Sequence, residues 1–220
     1  MKMKIRKNWD ITVPNQSQMI EQQIQSRGIN HPRTLKAMRE VDRRFFVPVE
    51  LEKNAYEDRP LSIGCGQTIS QPYIVALTTS QLEHIPINSK ILEIGSGSGY
   101  QTAILVAMGF KVFAIERHKQ LFDKSSITLE KLGFFPSELI HGDAWEGMVQ
   151  ESPFSAIISA AASEKPSLHW FSQLGENGVI VGPFGKQNNQ LLQRIEKSSF
   201  GIEKNNICAV RFVPLIRGEN

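Results

Sequence analysis

The segment from Ile91 to Gln101, ILEIGSGSGYQ, constrains the fold more than any other part of this chain. An apolar run, one acidic residue, glycines at alternate positions and a helix-like continuation read as a strand turning tightly into a helix. Glycine lacks the Cβ that would hold a ligand off the backbone, and it tolerates the positive φ of such a turn. The N–H groups that open the following helix have no partner within it and can serve a bound molecule. Glu93 stands in the strand just before the turn, where a carboxylate can accept from a ribose or attract a cation but would repel a pyrophosphate. The spacing agrees. A dinucleotide fingerprint wants Gly-x-Gly-x-x-Gly, and its last position holds Tyr100 counted from Gly95 or Thr102 counted from Gly97. A nucleotide-like cofactor without phosphates is therefore favoured over NAD(P), with a ligand-free glycine turn as the competing reading.

Two further acids follow short apolar segments. Lys111 to Arg117, KVFAIER, has the content of a second buried strand, and Glu116 at its end lies about twenty residues after the first glycine, the position that faces a ribose diol in a βαβ unit. One carboxylate can accept from both hydroxyls, although a surface Glu balanced by Arg117 would read the same way. Asp143 follows the segment ELIH at Glu138 to His141. Ligands of open α/β sheets bind outside the carboxyl ends of the strands, so Gly95, Glu116 and Asp143 are expected around one molecule. S-adenosylmethionine fits, having an adenosine and no phosphate.

The 220 residues, 40% hydrophobic, suffice for one sizeable core with a small appended element. A formal net charge of +3 is mild and dispersed apart from Met1 to Lys7, so nothing calls for nucleic acid. That basic start has no apolar core behind it before Pro14, which argues against a secretion signal, and no stretch approaches the roughly 18 apolar residues of a membrane span. Cys65 and Cys208, the two cysteines, give neither metal-ligand spacing nor a disulfide framework. The expectation is a cytoplasmic protein with reduced thiols, taken as a monomer. The five histidines, His31, His84, His118, His141 and His169, are too scattered to suggest a metal or acid–base cluster.

Helical spacing predicts helices over Gln16 to Ser26, with Gly28 as the stop, over His31 to Glu40, over Val49 to Ala55 and over Tyr73 to Leu82. Arg43, Arg44, Phe45 and Phe46 form a basic and aromatic cluster whose two rings are expected in the core. Asp58 to Pro72 reads as an ordered loop of the kind that carries function on a rigid scaffold. Crossover helices are expected at Gln101 to Met108 and Leu121 to Leu132. Strands are expected at Ala156 to Ser159, at Val179 to Pro183 after a turn at Gly175, Asn177 and Gly178, and at Cys208 to Leu215 after a polar turn at Lys204 to Asn206. Strands alternating with helices predict an α/β, Rossmann-like fold with a mostly parallel sheet. The helix-free end predicts an antiparallel C-terminal addition. The chain divides into a basic extension (1–15), an N-terminal helical subdomain with the loop (16–88) and the cofactor-binding core (89–220).

The segments GQTISQPYIVA (Gly66 to Ala76), LEIGSGSGYQ (Leu92 to Gln101) and VRFVPL (Val210 to Leu215) together resemble the protein-L-isoaspartate O-methyltransferase family, over about Met19 to Arg217. The resemblance implies a class I methyltransferase core and S-adenosylmethionine as methyl donor, leaving S-adenosylhomocysteine. The acceptor would be the α-carboxylate of isoaspartyl residues in damaged proteins. It places Ser70 at the reaction centre, with Gln67 and Thr68 shaping the loop and contacting the cofactor. Gly95, Gly97 and Gly99 map onto the methionine side, Glu116 onto the ribose, and Asp143 with Ala144 onto the adenine. A carboxylate acceptor is already ionised at neutral pH, which accounts for the lack of a Ser-His-Asp constellation. The chain departs from the family pattern at Ala144, where Gly is usual, at Ser155, where Asp is common, and at Ser159. Cys65 within the loop is also unusual. A diverged methyltransferase with another acceptor and a non-catalytic cofactor-binding module remain as alternatives.

Overall fold

The computed structural model describes residues 14–218. The basic start expected as an extension therefore lies, apart from Pro14 and Asn15, outside the described residues. Asn15 caps α1 (Gln16–Met19) with a reciprocal side-chain bond to Gln18. The helical path continues through a π turn, Ile20–Ile24, and a 3-10 turn, Gln25–Arg27, and ends at Gly28 in the left-handed region. Met19, Ile20 and Ile24, the residues at helical spacing, are the buried ones. α2 (Pro32–Glu40) begins on Pro32, where a missing N–H costs nothing. Its free N–H groups are served from a distance: the Glu83 carboxylate accepts from Arg33 N at 2.8 Å and Thr34 N at 3.1 Å.

Two expectations fail in the next stretch. After 3-10 turns at Arg43–Phe46 and Val49–Asn54, Phe46 is buried but Phe45 is 55% exposed, and the fully buried member of that cluster is Arg43. The expected loop contains a hairpin, β1 (Leu61–Gly64) and β2 (Gln67–Ile69), paired antiparallel. Its strands are too short and too rich in small residues to announce themselves, although Leu61 and Ile63 do alternate inward. α3 (Pro72–Ser80) follows directly.

The core unfolds as β3 (Lys90–Ile94), α4 (Tyr100–Ala107), β4 (Lys111–Glu116), α5 (Lys119–Leu132), β5 (Glu138–His141), β6 (Phe154–Ser159), α6 (Leu168–Gln173), β7 (Leu174–Lys186), β8 (Asn189–Ser198) and β9 (Gly201–Val210). These strands form one sheet in the order β5-β4-β3-β6-β7-β8-β9. β5 to β7 run parallel, while β8 and β9 are antiparallel additions. Strand residues alternate between two cores. Ile91, Val112, Ala156 and Ile158 pack toward the N-terminal helices and α4, whereas Leu92, Phe113, Ile115 and Ile157 pack against Trp170 and Phe184. No helix among the described residues is long and apolar enough to cross a membrane.

The C-terminal end differs from expectation. β8 was not foreseen, the residues read as a polar turn lie inside β9, and β9 stops at Val210. β9 is an edge strand whose residues 201–206 are all exposed, so it carries little apolar signal, and Pro214 cannot donate to a ladder. The turn expected before Val179 is an excursion within β7: Leu174 pairs with Phe154, and the pairing resumes only at Val179.

From β3 the chain winds outward to β4 and β5, then returns to place β6 on the other side of β3. This reversal opens a crevice beyond the carboxyl ends of β3 and β6.

Candidate active site

The glycine loop leaves β3 into that crevice. Gly95, Gly97 and Gly99 all have positive φ, at 80°, 55° and 85°. Two of them are required for different reasons. A Cβ on Gly99 would sit 3.2 Å from Leu129 Cδ1 and from Ser125 Cβ, so this glycine lets α4 and α5 approach. A Cβ on Gly95 would meet nothing within 4 Å and would occupy the cavity itself. The cavity is lined by Gln67, Thr68, Ser70, Glu93, Gly95, Gly97, Glu116 and Ala144, together with Tyr100, Ser159 and Phe212 to Ile216. All the site residues expected from sequence are thus brought to one place except Gly99, which supports the turn from behind, and Asp143.

The two strand acids differ in their surroundings. Glu116 ends β4 and accepts from Gly97 N and from His118 N, each at 2.8 Å and each on a different oxygen. Each oxygen keeps a second lone pair for a hydroxyl donor. Glu93 is fully buried on the α4 side of the sheet. Its Oε2 accepts from Thr102 Oγ1 at 2.6 Å, and Oε1 has no partner. Burial pushes its pKa up to about 8; the Thr102 bond opposes the rise and the Glu116 charge adds to it. Ser96 Oγ is likewise buried without a partner.

Asp143 stands beside the cavity rather than on its lining. Its position is set by its own bonds: Oδ1 accepts from Trp145 N at 2.8 Å and Oδ2 from Gly218 N at 2.6 Å. Ala144 does line the cavity, and its carbonyl accepts from Trp170 Nε1 at 3.1 Å. His141, its neighbour in sequence, is bound to the Arg117 carbonyl at 2.9 Å.

The β1–β2 hairpin forms the opposite wall. Its tip is Cys65–Gly66, with φ of 53° and 69°. Gln67 Nε2 reaches the Cys65 carbonyl at 3.3 Å, tightening that tip. Ser70 follows β2, and its carbonyl accepts from Arg43 at 2.9 Å, while its hydroxyl has no hydrogen bond among the described residues. A second, more open cavity is lined by Arg27, Tyr73, Cys208 and Arg211, and it shares Thr68, Ser70, Ile74, Ala160, Phe212 and Val213 with the first. Ser70 therefore stands where two cavities meet. Ser159 contributes wall without a free hydroxyl, since its Oγ is bonded to the Ala161 carbonyl at 2.8 Å.

Sequence reasoning read the chain to Leu215 as strand, but the segment after Val210 leaves the sheet. Residues 212–216 line the cavity, tied by Leu215 N to the Ala162 carbonyl at 2.7 Å and by Arg117 to the Ile216 carbonyl at 2.9 Å. Arg217 stacks over Trp145, its guanidinium carbon 3.4 Å from the ring centroid. The VRFVPL match marked these residues but not their place on the cavity wall, because a segment held by long-range backbone bonds has no local pattern. No group of three or more His, Cys, Asp or Glu among the described residues is arranged to hold a metal ion.

A mostly parallel seven-stranded sheet with antiparallel C-terminal strands and a glycine loop at its switch point defines a Rossmann-like methyltransferase. The chain resembles the crystal structure of a protein-L-isoaspartate O-methyltransferase (PCMT) from Plasmodium falciparum in complex with S-adenosyl-L-homocysteine, with a TM-score of 0.81 and 26% identity over 93% of this chain and 100% of the other. The family model described as Protein-L-isoaspartate(D-aspartate) O-methyltransferase (PCMT) matches residues 14–220, and the chain belongs to that family. Among relatives, it is 44% identical to the protein-L-isoaspartate O-methyltransferase of Methanoculleus marisnigri, over 90% of each chain. It is 42% identical to that of Aliivibrio fischeri, over 93% of this chain and 98% of the relative.

Proposed function

We propose that this chain transfers a methyl group from S-adenosylmethionine to the α-carboxylate of isoaspartyl residues in damaged proteins. The observation that carries the reading is the junction at Ser70 of a glycine-loop cavity with a second, open cavity. One site suits a cofactor and the other an acceptor that is part of a larger chain.

The residues fit the cofactor. Glu93 Oε1 and Ser96 Oγ are buried and unpartnered, Gly95 leaves the space a Cβ would fill, and the acids around the loop suit a ligand with an ammonium and a ribose but no phosphate. We assign Glu93, Gly95, Gly97, Glu116 and Ala144, with Gln67 and Thr68, to holding it. Gly99 supports the turn, and Asp143 joins from the rim, where Gly218 N now takes one of its oxygens. Bound there, S-adenosylmethionine supplies an electrophilic methyl group on a sulfonium.

The chain's own residues then have a modest task. The acceptor is ionised, so no general base is needed, and positioning alone can contribute roughly 7 to 11 kcal/mol in favourable cases. Ser70, with its hydroxyl uncommitted, donates to the acceptor carboxylate and aims it. Phe212 to Ile216 cover the cavity and exclude water. The methyl ester leaves the enzyme, the neighbouring backbone nitrogen displaces methanol to close a succinimide, and hydrolysis returns part of it to normal aspartate. We take the protein to act in the cytoplasm, with which two free cysteines are consistent, to act as a monomer, and to consist of a basic extension (1–15), a helical subdomain carrying the hairpin (16–88) and the cofactor core (89–220).

The test is methylation of paired peptides with labelled cofactor. Base-labile label is expected only in the isoaspartyl peptide. Cofactor binding with transfer to neither peptide refutes the reading and leaves a diverged methyltransferase or a binding module, the readings that the departures at Ala144, Ser155 and Ser159 favour. Ser70→Ala is expected to lower kcat far more than cofactor affinity; equal losses would assign Ser70 to the cofactor site or the fold.

A further inference from the structure

Arg43 is fully buried, yet it forms no ion pair among the described residues. Asp58, the acid whose charge acts on it, is bonded instead to Arg27 at 2.8 Å and to Tyr73 N at 3.3 Å. Burial draws the guanidinium pKa down to about 10, which still leaves it cationic at neutral pH. An unpaired buried cation costs several kcal/mol, and a packed apolar side chain of similar volume is often the more stable choice.

What Arg43 holds is backbone. It donates to the carbonyl of Ala55, to that of Ser70 at 2.9 Å and, at a long 3.5 Å, to that of Arg59. Its Nε has no partner. These carbonyls belong to separate stretches: the end of the Val49–Asn54 turn, the residue before Pro60, and the residue leaving β2. A planar guanidinium with donors in a rigid fork can span them, and a lysine ammonium cannot reproduce that geometry. On its other side the guanidinium carbon lies 5.9 Å from the ring centroid of Tyr100, which opens α4 and lines the glycine-loop cavity. Arg43 thus sits behind both the cofactor wall and the residue at the cavity junction.

The Ser70 carbonyl is its most consequential partner. Fixing that oxygen fixes the Ser70–Gln71 peptide plane just ahead of Pro72, and with it the direction in which the Ser70 Cβ leaves the backbone. We propose that Arg43 is a positioning residue for methyl transfer: its grip on the Ser70 carbonyl sets the Ser70 hydroxyl at the junction of the two cavities. This rests on the isoaspartyl methyltransferase reading of Ser70.

The experiment compares wild type, Arg43→Lys, Arg43→Met, Ser70→Ala and the Arg43→Lys/Ser70→Ala double variant. S-adenosylhomocysteine binding is measured by calorimetry, and kcat and KM for an isoaspartyl peptide are expressed per cofactor-binding site, so unfolded protein does not count. A misplacement of order 1 Å costs about 10²-fold, so both single Arg43 variants are expected to lose about that much in kcat while S-adenosylhomocysteine affinity stays within about threefold. The double variant is expected to be little worse than Ser70→Ala, because the two residues act as one unit.

Arg43→Lys with wild-type kcat per site overturns the proposal, as does an additive cycle. Loss of cofactor binding by both Arg43 variants also overturns it, assigning Arg43 to the fold or the cofactor wall. A wild type that binds cofactor but leaves the isoaspartyl peptide unmethylated overturns the enzymatic reading and the proposal with it, whereas an active wild type with active Arg43 variants overturns the proposal alone.

Discussion

Replacing Glu93 by Gln keeps the side chain's shape and removes its ionisation, which isolates the effect of placing a carboxyl at the centre of the sheet. Glu93 is fully buried, bonded by Thr102 through one oxygen and unpartnered at the other. Burial, with the Glu116 charge adding to it, pushes its pKa from 4.5 up to about 8. Between those values the folded chain carries a proton that the unfolded chain has released, so the stability due to this group falls as pH rises. It is fully present below about pH 4.5 and lost once pH passes about 8. At about 1.4 kcal/mol per pH unit, the whole change amounts to roughly 5 kcal/mol, and structural relaxation around the charged form reduces it. Urea unfolding of the cofactor-free protein, followed from pH 5 to pH 8.5, measures it. Wild type is expected to lose several kcal/mol more than Glu93→Gln across that range, so that the variant gains on wild type as pH rises, whatever their constant offset. The other titrating groups are common to both proteins and cancel in the difference. Parallel curves for the two proteins would refute the reasoning, because they would mean that Glu93 ionises in the folded chain as it does in water.

The glycine loop offers a paired comparison. Gly99→Ala forces a Cβ against Leu129 and Ser125 at positive φ and is expected to cost about 1–3 kcal/mol of stability, read from the urea midpoint. Gly95→Ala adds its methyl to open cavity space, so it is expected to lose S-adenosylhomocysteine affinity beyond its backbone strain of about 1–2 kcal/mol; the opposite ranking would contradict the roles given to the two positions. At the hairpin tip Cys65 has a φ of 53° beside Gly66, where Asn is better tolerated, and Cys65→Asn is expected to stabilise by up to about 1 kcal/mol. A lower urea midpoint at unchanged m-value would show that the weak 3.4 Å contact from Cys65 Sγ to Gln120 matters more than the backbone.

Local pattern carried much of this protein. β3 and β4 were legible because buried parallel strands are short apolar runs, β5 was legible from a short apolar segment although it lies half-exposed at the sheet edge, and the glycines between β3 and α4 marked the turn. α2 was legible from helical spacing and from a proline suited to a first turn, and α3 from its helical character, although Pro72, read as the end of the loop, opens it. β8 was not legible. Its buried Gln190 and Gln193 look like surface residues in sequence: the Phe212 backbone satisfies both ends of the Gln190 amide, while Gln193 donates to Asn206 and leaves its own oxygen without a partner. The β1–β2 hairpin was hidden by its small residues, and α6 by its brevity.

The site divides along the same line. By itself, the sequence marked the glycine loop and the acids Glu93 and Glu116, because each depends on neighbours a few residues away, while the GQTIS stretch stood out through the family resemblance. Only the tertiary structure decided that Glu93 is fully buried, that Asp143 stands off the cavity lining with one oxygen taken by Gly218 N, that residues 212–216 line the cavity, and that Arg43 rather than Phe45 lies inside behind Ser70. Desolvation and long-range backbone hydrogen bonds depend on segments far apart in the chain, and no local pattern of residues encodes which segments will meet.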